Sequence, residues 1–341
     1  MATFTGNEQD NLLNGTEEAD QISGLQGNDT LQGFGGDDVI LGGAGNDRIV
    51  AGAGNDLARG GDGNDFMQGN EGNDVLFGGA GDDRIYGGPG DDFVSGGLGN
   101  DLLCSGIGSA DLVTAGAGDD RVIFYRGTGQ QDAADQNNVL IGGSGVDTLD
   151  VLRASYFGSA ENAATTIFDM ENFAVIFRET DGDAVVAEQN AALFYGFEKI
   201  LVRGGSAIDY RGAFQDMDVQ GTDNADTFRG GSGDEIFRGG GGDDLFSGGG
   251  GTDVFASEAD DADTFEFRAT DGTITVSGFN GAGEDGGDLI RIFADDPNDL
   301  QVTEAGGTTT LRLARDDGSF ATMEIGVLGL QAQEDYVLVG L

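Results

Sequence analysis

Gly42-Gly43-Ala44-Gly45-Asn46-Asp47-Arg48-Ile49-Val50 is followed without a break by Ala51-Gly52-Ala53-Gly54-Asn55-Asp56-Leu57-Ala58-Arg59, and then by Gly60-Gly61-Asp62-Gly63-Asn64-Asp65-Phe66-Met67-Gln68. Working outward, the same nine-residue unit places an aspartate at Asp29, Asp38, Asp47, Asp56, Asp65, Asp74, Asp83, Asp92 and Asp101. Each has a glycine two positions earlier and another four or five positions earlier. Two positions after these aspartates comes an apolar residue: Leu31, Ile40, Ile49, Met67, Leu76, Ile85, Val94 and Leu103, with Ala58 the weakest copy. A fixed period of this kind dictates the fold before any other signal is weighed.

Six residues rich in Gly, Asn and Asp form a turn, because glycine reaches positive φ without a steric penalty and Asn or Asp tolerates it. The three residues that follow predict a short strand whose middle side chain points inward. Two units then close one coil, so residues eighteen apart stack. Asp29, Asp47, Asp65, Asp83 and Asp101 line one edge, and Asp38, Asp56, Asp74 and Asp92 the other. At a strand spacing of about 4.8 Å, a file of carboxylates repels itself and calls for cations. Donors that are all oxygen suit a hard ion, calcium better than magnesium. A Gly/Asp-rich disordered linker does not need an apolar residue locked two places after each aspartate.

The unit resembles the GGxGxDxUx repeat of RTX, hemolysin-type calcium-binding proteins, in which U is a large apolar residue. The resemblance implies an all-β fold, a right-handed parallel β-roll (a β-solenoid) with calcium between turns two repeats apart. One turn would give the carbonyls of its second and fourth residues and its Asp, and the turn eighteen residues on the carbonyls of its first and third residues and its Asp. Carried onto this chain, one site would use Gly43, Gly45 and Asp47 with Gly60, Asp62 and Asp65. The same pattern would recruit Gly27, Gly42, Gly63, Gly78, Gly81, Gly87, Gly90 and Gly96.

The 341 residues carry 62 acidic and 16 basic side chains, a formal charge of −46. Such a chain repels nucleic acid and anionic lipid unless calcium bridges them. Metal binding and folding are expected to be one event. With no His in the sequence, His-liganded zinc sites, Ser-His-Asp triads, Cys-His dyads and HExxH are excluded. No G-x-S-x-G occurs. Cys104 is the single cysteine and reads as an incidental small side chain. The start, MATFTGNEQDNLLNG, has neither the basic nor the apolar region of a secretory signal. No apolar run is long enough to span a membrane as a helix.

Taken in order, residues 1–123 form the first repeat block. Asp10 with Leu12, and Asp20 with Ile22, read as imperfect opening repeats. After Asp101 the period slips by one to Asp111 and Asp120, with Val113 and Val122 inward. Residues 124–220 read as a β-rich insertion or spacer holding one isolated copy, GGSGVDTLD, at 142–150. Within it, FAVIF and EKILV read as strands and the DGD at 181–183 as a hairpin turn. The second block, 221–267, supplies Asp226, Asp244 and Asp253, with Glu235 departing from the motif. Its Phe228, Phe237, Phe246 and Phe255 read as core. Residues 268–341 alternate like strands of a β-rich cap. Their ending, Asp335-Tyr336-Val337-Leu338-Val339, resembles that of type I secretion substrates.

The resemblance implies a secreted bacterial protein, extracellular or on the cell surface, that takes up several Ca2+ ions after leaving through a type I secretion exporter. A structural, surface-layer or adhesive role follows, with self-assembly or a cell-surface glycan as partner. The alternative is an RTX-tailed extracellular enzyme acting on glycans, its carboxylate pair hidden in 124–220. A pore-forming toxin would need a long apolar or amphipathic helical region that is absent from the sequence.

Overall fold

The computed structural model describes residues 1–107, 110–126, 138–153, 163–169, 174–181, 184–195, 197, 199–203, 207–211, 216–257, 261–281, 287–294, 296–315, 317–327, 330 and 335–339. The chain divides into two compact units: 1–156 with 189–199, and 157–188 with 200–341. Each contains parallel β-solenoid coils. Among the described residues, no helix is long and apolar enough to cross a membrane.

In the first unit the chain crosses between two parallel sheets at every turn. One sheet holds Gln21–Gln26, Val39–Ala44, Leu57–Asp62, Val75–Ala80, Phe93–Leu98 and Leu112–Ala117. The other holds Thr30–Gly35, Arg48–Ala53, Phe66–Glu71, Arg84–Pro89, Leu102–Ile107 and Arg121–Arg126. The register is eighteen residues, as in Ile40↔Ala58 and Ile49↔Met67. The one-residue slip after Asp101 is absorbed in the turns, since Val94 pairs Val113 and Leu103 pairs Val122. Every predicted inward residue from Leu31 to Val122, Ala58 included, is fully buried. Alternation explains why: with a period of two, only one face of a short strand meets the opposite sheet.

Three expectations change. The strands from Gln21–Gln26 to Arg121–Arg126 run six residues and not three; where a glycine pair follows, it continues the ladder beyond one skipped position (Leu41↔Arg59, then Gly43↔Gly61). The opening coil is set by Asn11 and Leu13, not Asp10 and Leu12: Leu13 pairs Leu31, whereas Leu12 faces solvent. The copy at 142–150 is not isolated. Its strands, Asn138–Ser144 and Thr148–Arg153, pair with Leu112–Ala117 and Arg121–Arg126.

In the second unit the coils carry shorter strands, Thr227–Arg229, Glu235–Arg238, Leu245–Ser247 and Thr252–Ala256. Phe228, Phe237, Phe246, Phe255 and Phe265 are fully buried. Their rings stack, with Phe228–Phe246 and Phe246–Phe265 centroids both 5.1 Å apart. Towards the C-terminus, Phe320–Ile325 pairs parallel with Thr273–Ser277. Thr308–Ala314 and Leu300–Ala305 then add as antiparallel strands. The strand expectations at FAVIF and EKILV fall on Ala174–Asp181 and Lys199–Arg203. Residues 182–183 of the expected hairpin turn lie outside the described residues.

Candidate metal centre

The aspartates form two buried files along the turn edges of the first unit. In each, the backbone N–H of one Asp donates to Oδ1 of the Asp one coil later: Asp29 to Asp47 at 2.7 Å, Asp47 to Asp65 at 2.7 Å, Asp65 to Asp83 at 2.8 Å. The other file repeats this from Asp38 to Asp56, Asp74 and Asp92. Backbone returns the tie, for the Phe66 N–H donates to the Asp47 carbonyl at 2.8 Å. The slip leaves the files intact, since Asp92 reaches Asp111 and Asp101 reaches Asp120.

The second carboxylate oxygen behaves differently. Oδ2 of Asp29, Asp38, Asp47, Asp56, Asp65, Asp74, Asp83, Asp92, Asp101 and Asp120 is buried with no hydrogen-bond partner. Leaving one such group unsatisfied costs about 1–3 kcal/mol, more when charged. These ten oxygens together rival or exceed a typical net stability of about 5–15 kcal/mol. The files therefore need protons or cations. Burial, the largest cause, pushes Asp56, Asp65, Asp83, Asp92 and Asp101 up to about 7 and Asp47 to about 6, with neighbouring aspartates adding to the rise.

The glycines shape the space around that oxygen. A Cβ added at Gly42 would collide with Asp47 Oδ2 and lie 2.6 Å from the Gly60 carbonyl oxygen. Gly60 stands in the same relation to Asp65 and Gly78, Gly78 to Asp83 and Gly96, and Gly87 to Asp92. The first glycine of the turn thus makes room for a free carboxylate oxygen beside a carbonyl from the next coil. Gly43 and Gly45 hold φ of 120° and 127°, a region that disfavours any side chain. Their carbonyls face Gly61 and Gly63 of the next coil, while the Asp62 carbonyl accepts the Gly45 N–H at 2.8 Å. Gly27, Gly63, Gly81 and Gly90 are the fourth-position counterparts, also at positive φ. Among the described residues no three His, Cys, Asp or Glu side chains gather at one point. A metal held here would take two carboxylates at most and complete its shell from backbone carbonyls, a donor set that fits calcium.

Each second-unit file has the same form. Asp226 reaches Asp244 Oδ1 at 2.8 Å, and Glu235 reaches Asp253 Oδ1 at 3.1 Å. Glu235 keeps its place despite the longer side chain, with Oε2 over Gly230 where Asp253 Oδ2 lies over Gly248. Burial, and then the Asp253 charge, push Glu235 up to about 9, and burial pushes Asp244 up to about 8.

Several file members lack the full glycine set, Asn11, Asp20 and Asn138 in the first unit and Asp263 in the second, and Asp147 and Asp288 join the files with their glycines present. All share one signal, an Asp or Asn two residues before a U-type residue, as in Asp263-Thr264-Phe265 and Asp288-Leu289-Ile290. Two opening turns, Gly15-Thr16-Glu17-Glu18-Ala19-Asp20 and Gly221-Thr222-Asp223-Asn224-Ala225-Asp226, treat the second oxygen in their own way. There Thr16 and Thr222 give backbone N–H and hydroxyl to Asp20 and Asp226 Oδ2, at 2.7–2.8 Å and 2.7–3.2 Å.

The family model of the RTX calcium-binding nonapeptide repeat matches residues 5–33, 14–49, 32–67, 41–76, 68–103, 105–130, 132–152 and 220–255, together more than half of the chain. No curated protein matches the chain as a relative.

Proposed function

Because this chain belongs to the RTX calcium-binding nonapeptide repeat family, we propose that it is a secreted bacterial protein that folds around calcium outside the cell and serves there as a structural or adhesive module rather than an enzyme. The ten buried Asp Oδ2 atoms without partners carry this reading. An ionised file of that kind resists folding until a divalent cation enters it. Extracellular calcium modules bind at about 10⁻⁴–10⁻³ M, far above cytosolic calcium, so the chain would stay unfolded inside and could thread a type I exporter. Outside, filling of the files would stabilise the fold by mass action.

Far-UV circular dichroism with and without chelator tests the proposal. With excess chelator at pH 8 most of the β signal is expected to vanish and to return cooperatively with calcium. Magnesium at equal concentration should do much less, because it keeps its water and requires strict octahedral geometry. Equal β content in chelator and in calcium would overturn the reading.

A further inference from the structure

Charge is segregated in the first unit. Between residues 24 and 123 the basic side chains are Arg48, Arg59, Arg84 and Arg121. Each sits at the first or third residue of a strand, pointing away from the core. The acids of the same stretch lie in the turns or, as Asp62 and Glu71, at the last residue of a strand, so the first three residues of each strand, where the arginines sit, carry no carboxylate. On one face the register sets Arg48, Phe66 and Arg84 in a straight file. Tyr86 lies beside it, with the Phe66 and Tyr86 rings 5.7 Å apart. The Arg48 guanidinium lies 4.5 Å from the Phe66 centroid. Arg121, further along, is neutralised by Asp150. Arg48 and Arg84 are exposed, and among the described residues neither has a carboxylate partner.

We propose that the Arg48–Phe66–Arg84 file, with Tyr86, binds a linear acidic polysaccharide that carries one carboxylate per disaccharide. A guanidinium pairs with a carboxylate through two parallel N–H donors. The ring face of a sugar packs on an aromatic platform. Two strand spacings separate the arginines, about 10 Å, a distance on the scale of an extended disaccharide. The surface is flat and runs along the stacking direction, which suits a polymer better than a small ligand. Edge carboxylates do not oppose this once calcium neutralises them. The inference therefore rests on the calcium-loaded fold proposed above and names the partner for its adhesive role.

The test uses the full chain in calcium at physiological ionic strength, titrated against fluorescent hyaluronan oligosaccharide, with neutral dextran as control. Binding of hyaluronan but not dextran is expected. The Arg48→Gln/Arg84→Gln double variant should bind up to about thirtyfold more weakly, from two lost ion pairs at up to about 1 kcal/mol each at an exposed surface. Phe66→Ala should weaken binding too, while Arg59→Gln, on the opposite sheet, should not. The double variant should keep the wild-type calcium titration by circular dichroism, which separates failure of this site from failure of the calcium reading. Absence of hyaluronan binding, equal binding by the double variant, or equal loss in Arg59→Gln would overturn the proposal. So would a complex in which a second copy of the chain, and not the oligosaccharide, covers the face.

Discussion

Residues 24–123 and residues 221–267 share an edge chemistry and differ in nearly everything else. The first stretch fills its interior with single aliphatic side chains such as Ile40, Ile49 and Leu76, the second with stacked phenylalanines. Both tie the third-position N–H back to a second-position carbonyl, as Gly35 does to Thr16 at 3.1 Å, but the first stretch adds a second tie. In the first, the fourth-position N–H donates forward to a third-position carbonyl, Gly45 to Asp62 at 2.8 Å and Gly63 to Ala80 at 2.7 Å. The second block carries the shared back tie, Gly241 to Thr222 at 2.9 Å and Gly250 to Gly231 at 2.6 Å. The forward tie prolongs the strands to six residues, whereas the other coils have strands of three to five. Different carbonyls are thus engaged by backbone in the two places. The lesson is that the Asp file, and not the interior or the turn ladder, is the invariant of the coil.

That comparison breaks most visibly in the core. Phe246 contacts Phe228, Phe255 and Phe265 by ring stacking, so Phe246→Ala should cost about 3–5 kcal/mol. Ala58 lies at the corresponding inward position of the first block, so Ala58→Gly, which removes one methyl, should cost only about 1 kcal/mol. Calcium-loaded thermal melts followed by near-UV circular dichroism, which sees the aromatic stack, check this. A Phe246→Ala loss no larger than that of Ala58→Gly would show that the stack is not what holds the second block.

Smaller effects are expected from the files. Asp65→Asn removes a buried carboxylate from mid-file and should raise the calcium midpoint several-fold. Asp10→Asn should leave it nearly unchanged, because Asp10 lies on the exposed outer turn, where it accepts only the Asn28 N–H. Matching titrations of the two variants would show that position in the file carries no weight.

The mildest and most informative test is pH. Buried file acids such as Asp47, Asp65 and Asp244 have folded-state pKa values above the ordinary 3.8, so in the metal-free chain protons stabilise the fold. That stability is complete below about 4 and lost as pH rises through about 6–8. Calcium needs the ionised form, so its midpoint should rise as pH falls from 8 to 6. Within the second block, the sites of Asp244, pushed up to about 8, and of Glu235, raised by burial and by the Asp253 charge, should lose calcium at higher pH than the first block. Tyrosine and phenylalanine signals in the near-UV during acid titration at fixed calcium report the order. Simultaneous loss would mean that the two blocks present equivalent carboxylates.

Most of the coil was legible because it rests on local rules. A positive φ demands glycine at Gly43 and Gly45, and a buried period-two position demands Ile49 or Leu76. Strand length was not legible, since extending Val39–Ala44 through a glycine pair depends on hydrogen bonds to the neighbouring coil. The file members Asn138, Asp263 and Asp288 were missed for the opposite reason. Asn138 and Asp263 lack the turn glycines and keep only the Asx-x-apolar spacing, which the tie to the preceding coil requires, whereas Asp288 keeps Gly283 and Gly286 but stands apart from any repeat run. Asn11 displaced Asp10 because register is decided by Leu13 entering the core, and a side-chain amide accepts a hydrogen bond as a carboxylate does.

The ties of the file have a direction. From Asp29 to Asp120, each file aspartate N–H is held by a side-chain oxygen that comes later in the chain, a carboxylate everywhere except at Asp111, which the Asn138 amide holds. Along the files, every coil is therefore fastened by its successor. A chain that emerges with its C-terminus leading always has the fastening coil outside before the coil it will fasten, so assembly can advance like a zip toward the exit. Delivered in the opposite order, each coil would wait, with its aspartate N–H unmet, for the part still to come.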